Sequence, residues 1–349
     1  MKKISAFIAV LFMAVLCSSV FILGTQTAHA KKPILLRLVV PAPPGDWPLT
    51  YKDMEFAKRF NERARGEYEI EVHAGGALAK LPEYFDAVRI GAVEMADGPW
   101  GLYSFLDPRL GLLEIPFMFD SMAAMTAATK PLLALYDPIL QEKFNAKGLG
   151  LMNTGSVGVI STKPVKTLED WKGLLVGTIS PPTAAMVKHL GGSPVTIMWT
   201  DTYESLQKKV IDATIQGTHA MVVMGMTDVC KHVTLFFGMG APNGYTINLD
   251  VWKKMPQHIQ KILQEEIDRA ADWMNETVMT KVGDEDIKAF KEQGVSVYIV
   301  PKAERDRWAK ALDPYVKKQI GAFGELGPKV QKVADDANKL FPYSERGMY

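Results

Sequence analysis

The chain alternates between short apolar runs and longer amphipathic ones. Leu35-Leu36-Arg37-Leu38-Val39-Val40 reads as a buried strand that enters the rigid loop Pro41-Ala42-Pro43-Pro44-Gly45-Asp46-Trp47. A helix follows with Phe56, Ala57 and Phe60 on one side. From Tyr68 to His73 the period is two, with Tyr68, Ile70 and Val72 set against Glu69, Glu71 and His73, so a half-buried strand is expected. Gly75-Gly76 breaks it, Pro82 to Ile90 is helical, and Ala92 to Ala96 is a short strand that runs into Asp97-Gly98-Pro99-Trp100-Gly101. This βαβαβ order predicts a parallel or mixed sheet with helices on both faces. Ligands of such sheets sit beyond the carboxyl ends of strands, where Trp47, Asp97 and Trp100 lie.

The middle of the chain repeats the grammar. Short strands are expected at Leu149 to Met152, Gly158 to Ser161, Leu174 to Val176, Val195 to Met198 and Ile211 to Gln216, with a helix around Ala184 to Leu190. Asp201-Thr202-Tyr203-Glu204 has the spacing of a capping box opening a helix to Lys209. From Pro256, the residues Ile259, Ile262, Leu263, Ile267, Ala270, Ala271, Met274 and Val278 recur at helical steps, and the pattern continues to about Phe290. At ~1.5 Å per residue such a helix rivals the width of a small domain, so it should lie across more than one lobe or project into solvent, and its apolar stripe favours crossing. A strand at Val295 to Val300 and helices from Lys302 and Pro328 finish the chain.

The first thirty residues stand apart. Lys2 and Lys3 precede an apolar run from Ile4 to Leu23, and Ala28-His29-Ala30 supplies small residues for cleavage. That order is a secretory signal removed after Ala30, with a periplasmic product; the alternative is an uncleaved anchor, since the run is near the ~20 residues that span a bilayer. Cleavage leaves 319 residues with a net charge of −1, enough chain for two domains and no electrostatic case for nucleic acid. Only Cys230 survives, so no internal disulfide forms. His73, His189, His219, His232 and His258 show no metal spacing, and no nucleophile elbow or phosphate loop is present. Asp107, Glu114 and Asp120 are too scattered to suggest paired carboxylates. No cofactor and no catalysis are expected.

Several stretches together resemble the solute-binding proteins of tripartite ATP-independent periplasmic (TRAP) transporters, the DctP-like family. Glu114-Ile115-Pro116-Phe117-Met118-Phe119 is similar to the family's PF-x-F segment, and Lys166 to Leu174 to its DLKGLKIR segment. Gly191 to Val195 followed by Trp199 to Gln207, Val210 to Ala213, and Asn248 to Pro256 resemble further family motifs in the same order. The resemblance implies a type II-like periplasmic-binding-protein fold, α/β and two-lobed, with strands crossing the hinge and a long helix spanning both lobes. It implies lobe I from 31–156 plus about 246–285, and lobe II from 157–245 plus about 286–349. It also implies capture of a small organic solute in the cleft and delivery to the membrane subunits of a TRAP permease, with a monomer expected over a dimer. A sensor for a membrane signalling partner, or a periplasmic enzyme on the same scaffold, are the alternatives.

The departures bear on the ligand. The family's carboxylate-clamping arginine, whose planar guanidinium offers two parallel donors, falls at Gly177, and a second arginine falls at about Val157. The matching positions left in the cleft are Ser180, Trp199 and Gln216, with Asn243 in a turn at the hinge, and Trp47, Asp97 and Trp100 in first-lobe loops. Flat apolar faces with a few amides and hydroxyls suit a neutral ligand, an aromatic one, or an acid held by another group.

Overall fold

The computed structural model describes residues 32–43, 45, 48–240, 242–277 and 281–344. The signal sequence, Pro44, Asp46, Trp47, Ala241 and Val278 lie outside them.

Two sheets organise the chain. The first has the order β2-β1-β3-β10-β4, from β1 (Ile34–Val40), β2 (Tyr68–Ala74), β3 (Met95–Pro99), β4 (Ala146–Met152) and β10 (Asn243–Asn248). β1 runs parallel to β2 and β3, whereas β10 is antiparallel to both β3 and β4. The second has the order β11-β9-β5-β8-β6-β7, from β5 (Val157–Ser161), β6 (Leu175–Thr178), β7 (Ser193–Thr196), β8 (Ala213–Gly217), β9 (His232–Leu235) and β11 (Ser296–Ile299). The chain passes from one sheet to the other at 153–156 and returns at 236–242.

Twelve α-helices among the described residues cover these sheets. They are α1 (Pro48–Ala64), α2 (Tyr84–Arg89), α3 (Met122–Phe144), α4 (Pro181–Leu190), α5 (Thr202–Gln207) and α6 (Thr218–Val223), then α7 (Met226–Val229), α8 (Leu249–Lys254), α9 (Gln257–Thr277), α10 (Gly283–Glu292), α11 (Lys302–Ala322) and α12 (Leu326–Leu340). α9 buries Ile259, Leu263, Ile267, Ala270, Ala271 and Met274 against α1 and β4, and each large apolar side chain so buried is worth ~1.5–3 kcal/mol. Its Glu266, buried between the helices, accepts from Arg59 at 2.9 Å and Arg63 at 2.7 Å. The helical run that starts at Pro256 is therefore in two described pieces: α9 lies on the first sheet's side, and α10 packs on α6 and β11 of the second.

Two helices differ from the sequence reading. Asp201 does not cap α5; its backbone is already helical, the helix is entered through a 3₁₀ turn at Trp199–Asp201, and Glu204 pairs instead with Lys208. α3 is missing from the elements that the pattern predicts because Pro131 and Pro138 interrupt it as a helix signal. It forms nonetheless, capped by Ser121, which accepts from Ala124 N at 3.1 Å, and ended by Asn145 at φ 43°. β10 joins the first sheet from Asn243, and α12 returns to the first lobe, where Val330, Ala334 and Ala337 join the cluster of Leu132 and Tyr136.

Candidate functional site

A cavity of about 150 Å³ lies between the two sheets, at the carboxyl ends of several strands. The first lobe contributes Pro41 and Ala42 after β1, Leu49 of α1, Leu81, Pro99 at the end of β3, Glu114, and Asn243 at the start of β10. The second contributes Val157 of β5, Ile179 after β6, Trp199, Gln216 and Gly217 at the end of β8, and His219 and Ala220 of α6. Thr154 and Gly155 come from the first crossing between sheets. The crossing is fixed by Asn153, which is fully buried. Its backbone N–H donates to Asn275 of α9 at 2.9 Å and its amide donates to Met122 O at 3.2 Å and Thr126 at 3.1 Å.

Of the residues singled out from the sequence, Trp199, Gln216 and Asn243 meet on this cavity. Trp199 also packs against the first lobe's core, so it touches both halves. Gln216 donates to Thr202 at 3.5 Å from a buried position. Ser180 sits just behind the wall as the N-cap of α4, accepting from Thr183 N at 3.4 Å. Two others are elsewhere. Trp100 is fully buried against Gly244 and Gly148, where an added methyl would lie 2.3 Å and 2.9 Å from its ring, and it donates to Gly244 O at 3.1 Å. Asp97 points under the sheet to the buried ammonium of Lys52 at 2.7 Å. Trp47 lies outside the described residues.

Three further polar groups on the wall are Glu114, His219 and Thr154. Glu114 ends the 3₁₀ turn Pro108–Glu114, and its side chain fills the space beside Gly101, where a Cβ would lie 2.4 Å from the Glu114 carboxyl carbon. Burial pushes its carboxyl up to about 7, against a hydrogen bond with the Ser180 hydroxyl on the opposite lobe. Tyr315 of α11 is close enough to feel this charge: burial first, then Glu114, raises its hydroxyl to about 12. His219 Nδ1 lies 2.9 Å from Asp286 of α10, and Thr218 donates to the other Asp286 oxygen at 2.6 Å. The only sequence signal for Glu114 is an acid alone in the apolar run from Leu110 to Phe119.

The described residues that line the cavity include no lysine and no arginine. Val157 is on the wall, whereas Gly177 is not; a Cβ there would lie 2.8 Å from Ile211 Cδ1 and 3.3 Å from Thr214 Oγ1, inside the second lobe. Among the described residues no group of three or more His, Cys, Asp or Glu could hold a metal ion, and no helix is long and apolar enough to cross a membrane. The cavity can therefore enclose a small apolar body and offer it an aromatic face, two amides, a hydroxyl and a carboxyl.

The family model described as bacterial extracellular solute-binding protein, family 7 (DctP), matches residues 46–321. The chain is 25% identical to the C4-dicarboxylate-binding protein DctB of Bacillus subtilis (strain 168), over 77% of this chain and 78% of that one. It is likewise 25% identical to the C4-dicarboxylate-binding periplasmic protein DctP of Rhodobacter capsulatus, over 76% and 83%. Among solved structures, DctP7, a Bordetella pertussis extracytoplasmic solute receptor binding pyroglutamic acid, matches with a TM-score of 0.80 at 19% identity, covering 86% of this chain and 99% of that one.

Proposed function

Because the chain belongs to family 7 of the bacterial extracellular solute-binding proteins and is a TRAP-type receptor for small organic solutes, we propose that its solute is held without the usual arginine clamp on a carboxylate. The observation that carries this reading is the make-up of the cavity wall. Its described residues supply no lysine and no arginine, and the family resemblance sets the clamp at Gly177. An anionic ligand would meet the Glu114 carboxyl there with nothing of opposite sign beside it. Trp199 offers a flat face, and Gln216 and Asn243 fix orientation through their amides. The volume resembles that of an apolar cavity of ~150 Å³ able to take benzene, which suits a solute of about one six-membered ring.

The same reading extends to the life of the protein. The chain is exported, loses its leader after Ala30, works as a monomer in the periplasm and hands its solute to the membrane subunits of a TRAP permease. The C4-dicarboxylates that name DctB and DctP supply the contrast to test. Protein purified from the periplasm and examined by native mass spectrometry is expected to begin at Lys31, to be monomeric, and to release a small organic compound with no free carboxylate pair. In thermal melts, neutral or aromatic solutes should raise the midpoint, since a ligand stabilises by RT ln(1 + [L]/Kd), and succinate should not. Strong stabilisation by succinate would overturn the proposal.

A further inference from the structure

Resting on that reading of the cavity, we propose that Glu114 is its specificity-determining group and selects a solute that carries a positively charged nitrogen. The carboxyl is set into the wall between the lobes, with the Gly101 backbone behind it leaving room for no substituent. It is buried, and no lysine or arginine pairs with it among the described residues. Its partner in the protein is the Ser180 hydroxyl.

A hydrogen bond between lobes does not require an acid. A glutamine of the same length would bond Ser180 without the several kcal/mol that an unpaired buried carboxylate costs. The acid is favourable only when something positive enters the space it faces, and the cavity is that space. The surroundings fit a cation in two further respects. Trp199 presents an indole, the aromatic side chain that attracts cations most strongly. The other ionisable group on the wall, His219, is paired with the carboxylate of Asp286, so it adds no net cation that would repel the solute at neutral pH. The chemistry recognised is a primary or secondary ammonium, or an amidinium, on a compact apolar body. The charged nitrogen donates to Glu114, and the ring or chain lies against Trp199 and the aliphatic walls.

The test uses two shape-matched series in thermal melts of the whole mature protein: benzylamine, benzyl alcohol and benzoate, then cyclohexylamine, cyclohexanol and cyclohexanecarboxylate. The amines are expected to raise the midpoint most, the alcohols less, and the carboxylates not at all. Glu114→Gln should weaken the amines on the order of ten- to a hundredfold, the worth of a hydrogen bond to a charged group, and weaken the alcohols far less. If alcohols and amines stabilise alike and Glu114→Gln alters neither, the role of Glu114 is lost while the unclamped cavity stands. If the carboxylates stabilise best, both readings fall. A wild-type protein that responds to neither amine also overturns the inference, and this arm stands even if the variant does not fold.

Discussion

At Lys52 an ammonium shut off from solvent donates to Asp53 at 2.8 Å, Asp97 at 2.7 Å and the Tyr245 hydroxyl at 3.1 Å. Two carboxylates thus share one cation beneath the first sheet, and burial pushes Asp53 up to about 7 despite its partners. Lys52→Met should leave two buried carboxylates without a counter-charge and cost about 3–5 kcal/mol. Urea denaturation measures this, and a loss under about 1 kcal/mol would mean that water, not Lys52, satisfies the pair. Position at a strand end fixes which edge of a sheet a residue occupies, but not which face: Asp97 pairs with Lys52 and Trp100 donates to Gly244 O, both inside the first lobe. Trp199 and Gln216 lie on the cavity, and Asn243, expected in a turn at the hinge, is instead the first residue of β10. Glu114 was hidden because one acid among apolar residues carries no spacing for a pattern to use.

The helices and turns are explained by their ends and by what ties them together. α4 is readable from sequence once Ser180, Pro181 and Gly191 are seen as cap, first residue and stop; Gly191 has φ 98°, which suits glycine. α5 is readable as a helix but not in its cap, because a capping-box spacing is satisfied by composition while the chain enters the helix by another route. The return crossing between the sheets is tied by one buried side chain that no local pattern reveals. Arg305 of α11 donates to Phe119 O at 3.1 Å, Phe236 O at 3.2 Å and Phe237 O at 3.1 Å, and pairs with Asp120 at 3.3 Å. It holds segments in which Phe117 (φ 61°) and Phe237 (φ 44°) take a left-handed backbone that disfavours bulky residues by ~1–2 kcal/mol each. Arg305→Met should therefore cost about 3–5 kcal/mol, since it orphans three carbonyls as well as breaking an ion pair. Arg305→Lys should rescue little, because a single ammonium cannot copy the fixed fork of donors. Urea midpoints of both variants decide it, and a lysine variant equal to wild type would show that charge alone suffices.

Across the whole molecule, the strand-and-helix grammar is enough to call two α/β lobes, because each βα unit carries its own hydrophobic period. It does not say which lobe receives α12, since an amphipathic stripe names a buried face and not its partner, and α3 lies about two hundred residues earlier. The meeting of the lobes has a consequence for stability that can be measured without a ligand. Glu114 has an ordinary value of 4.5 and is pushed up to about 7 by burial between them. A carboxyl raised in this way contributes stability that is fully present below about 4.5 and is lost as pH rises through 7, on the order of 3 kcal/mol by linkage. Asp53 acts in the same direction. Burial works against ionisation at Glu94, Asp107 and Glu266 too, but the paired Arg37, Arg109, and Arg63 with Arg59 hold these three below their ordinary values. Their contribution is present above the ordinary carboxylate range and is lost as pH falls through their lowered values. The two trends meet near the ordinary carboxylate value, so the unliganded protein should be most stable at about pH 4.5 and weaken from there to about pH 7. Tyr315 stays protonated over that span, and His219 with Asp286 is the other ionisable pair at the cavity. Thermal melts from pH 4.5 to 8.5 should show a flatter alkaline limb in Glu114→Gln than in wild type. Parallel limbs would mean that the lobes part far enough in solution to hydrate Glu114, because its raised value exists only while the cavity is closed over it.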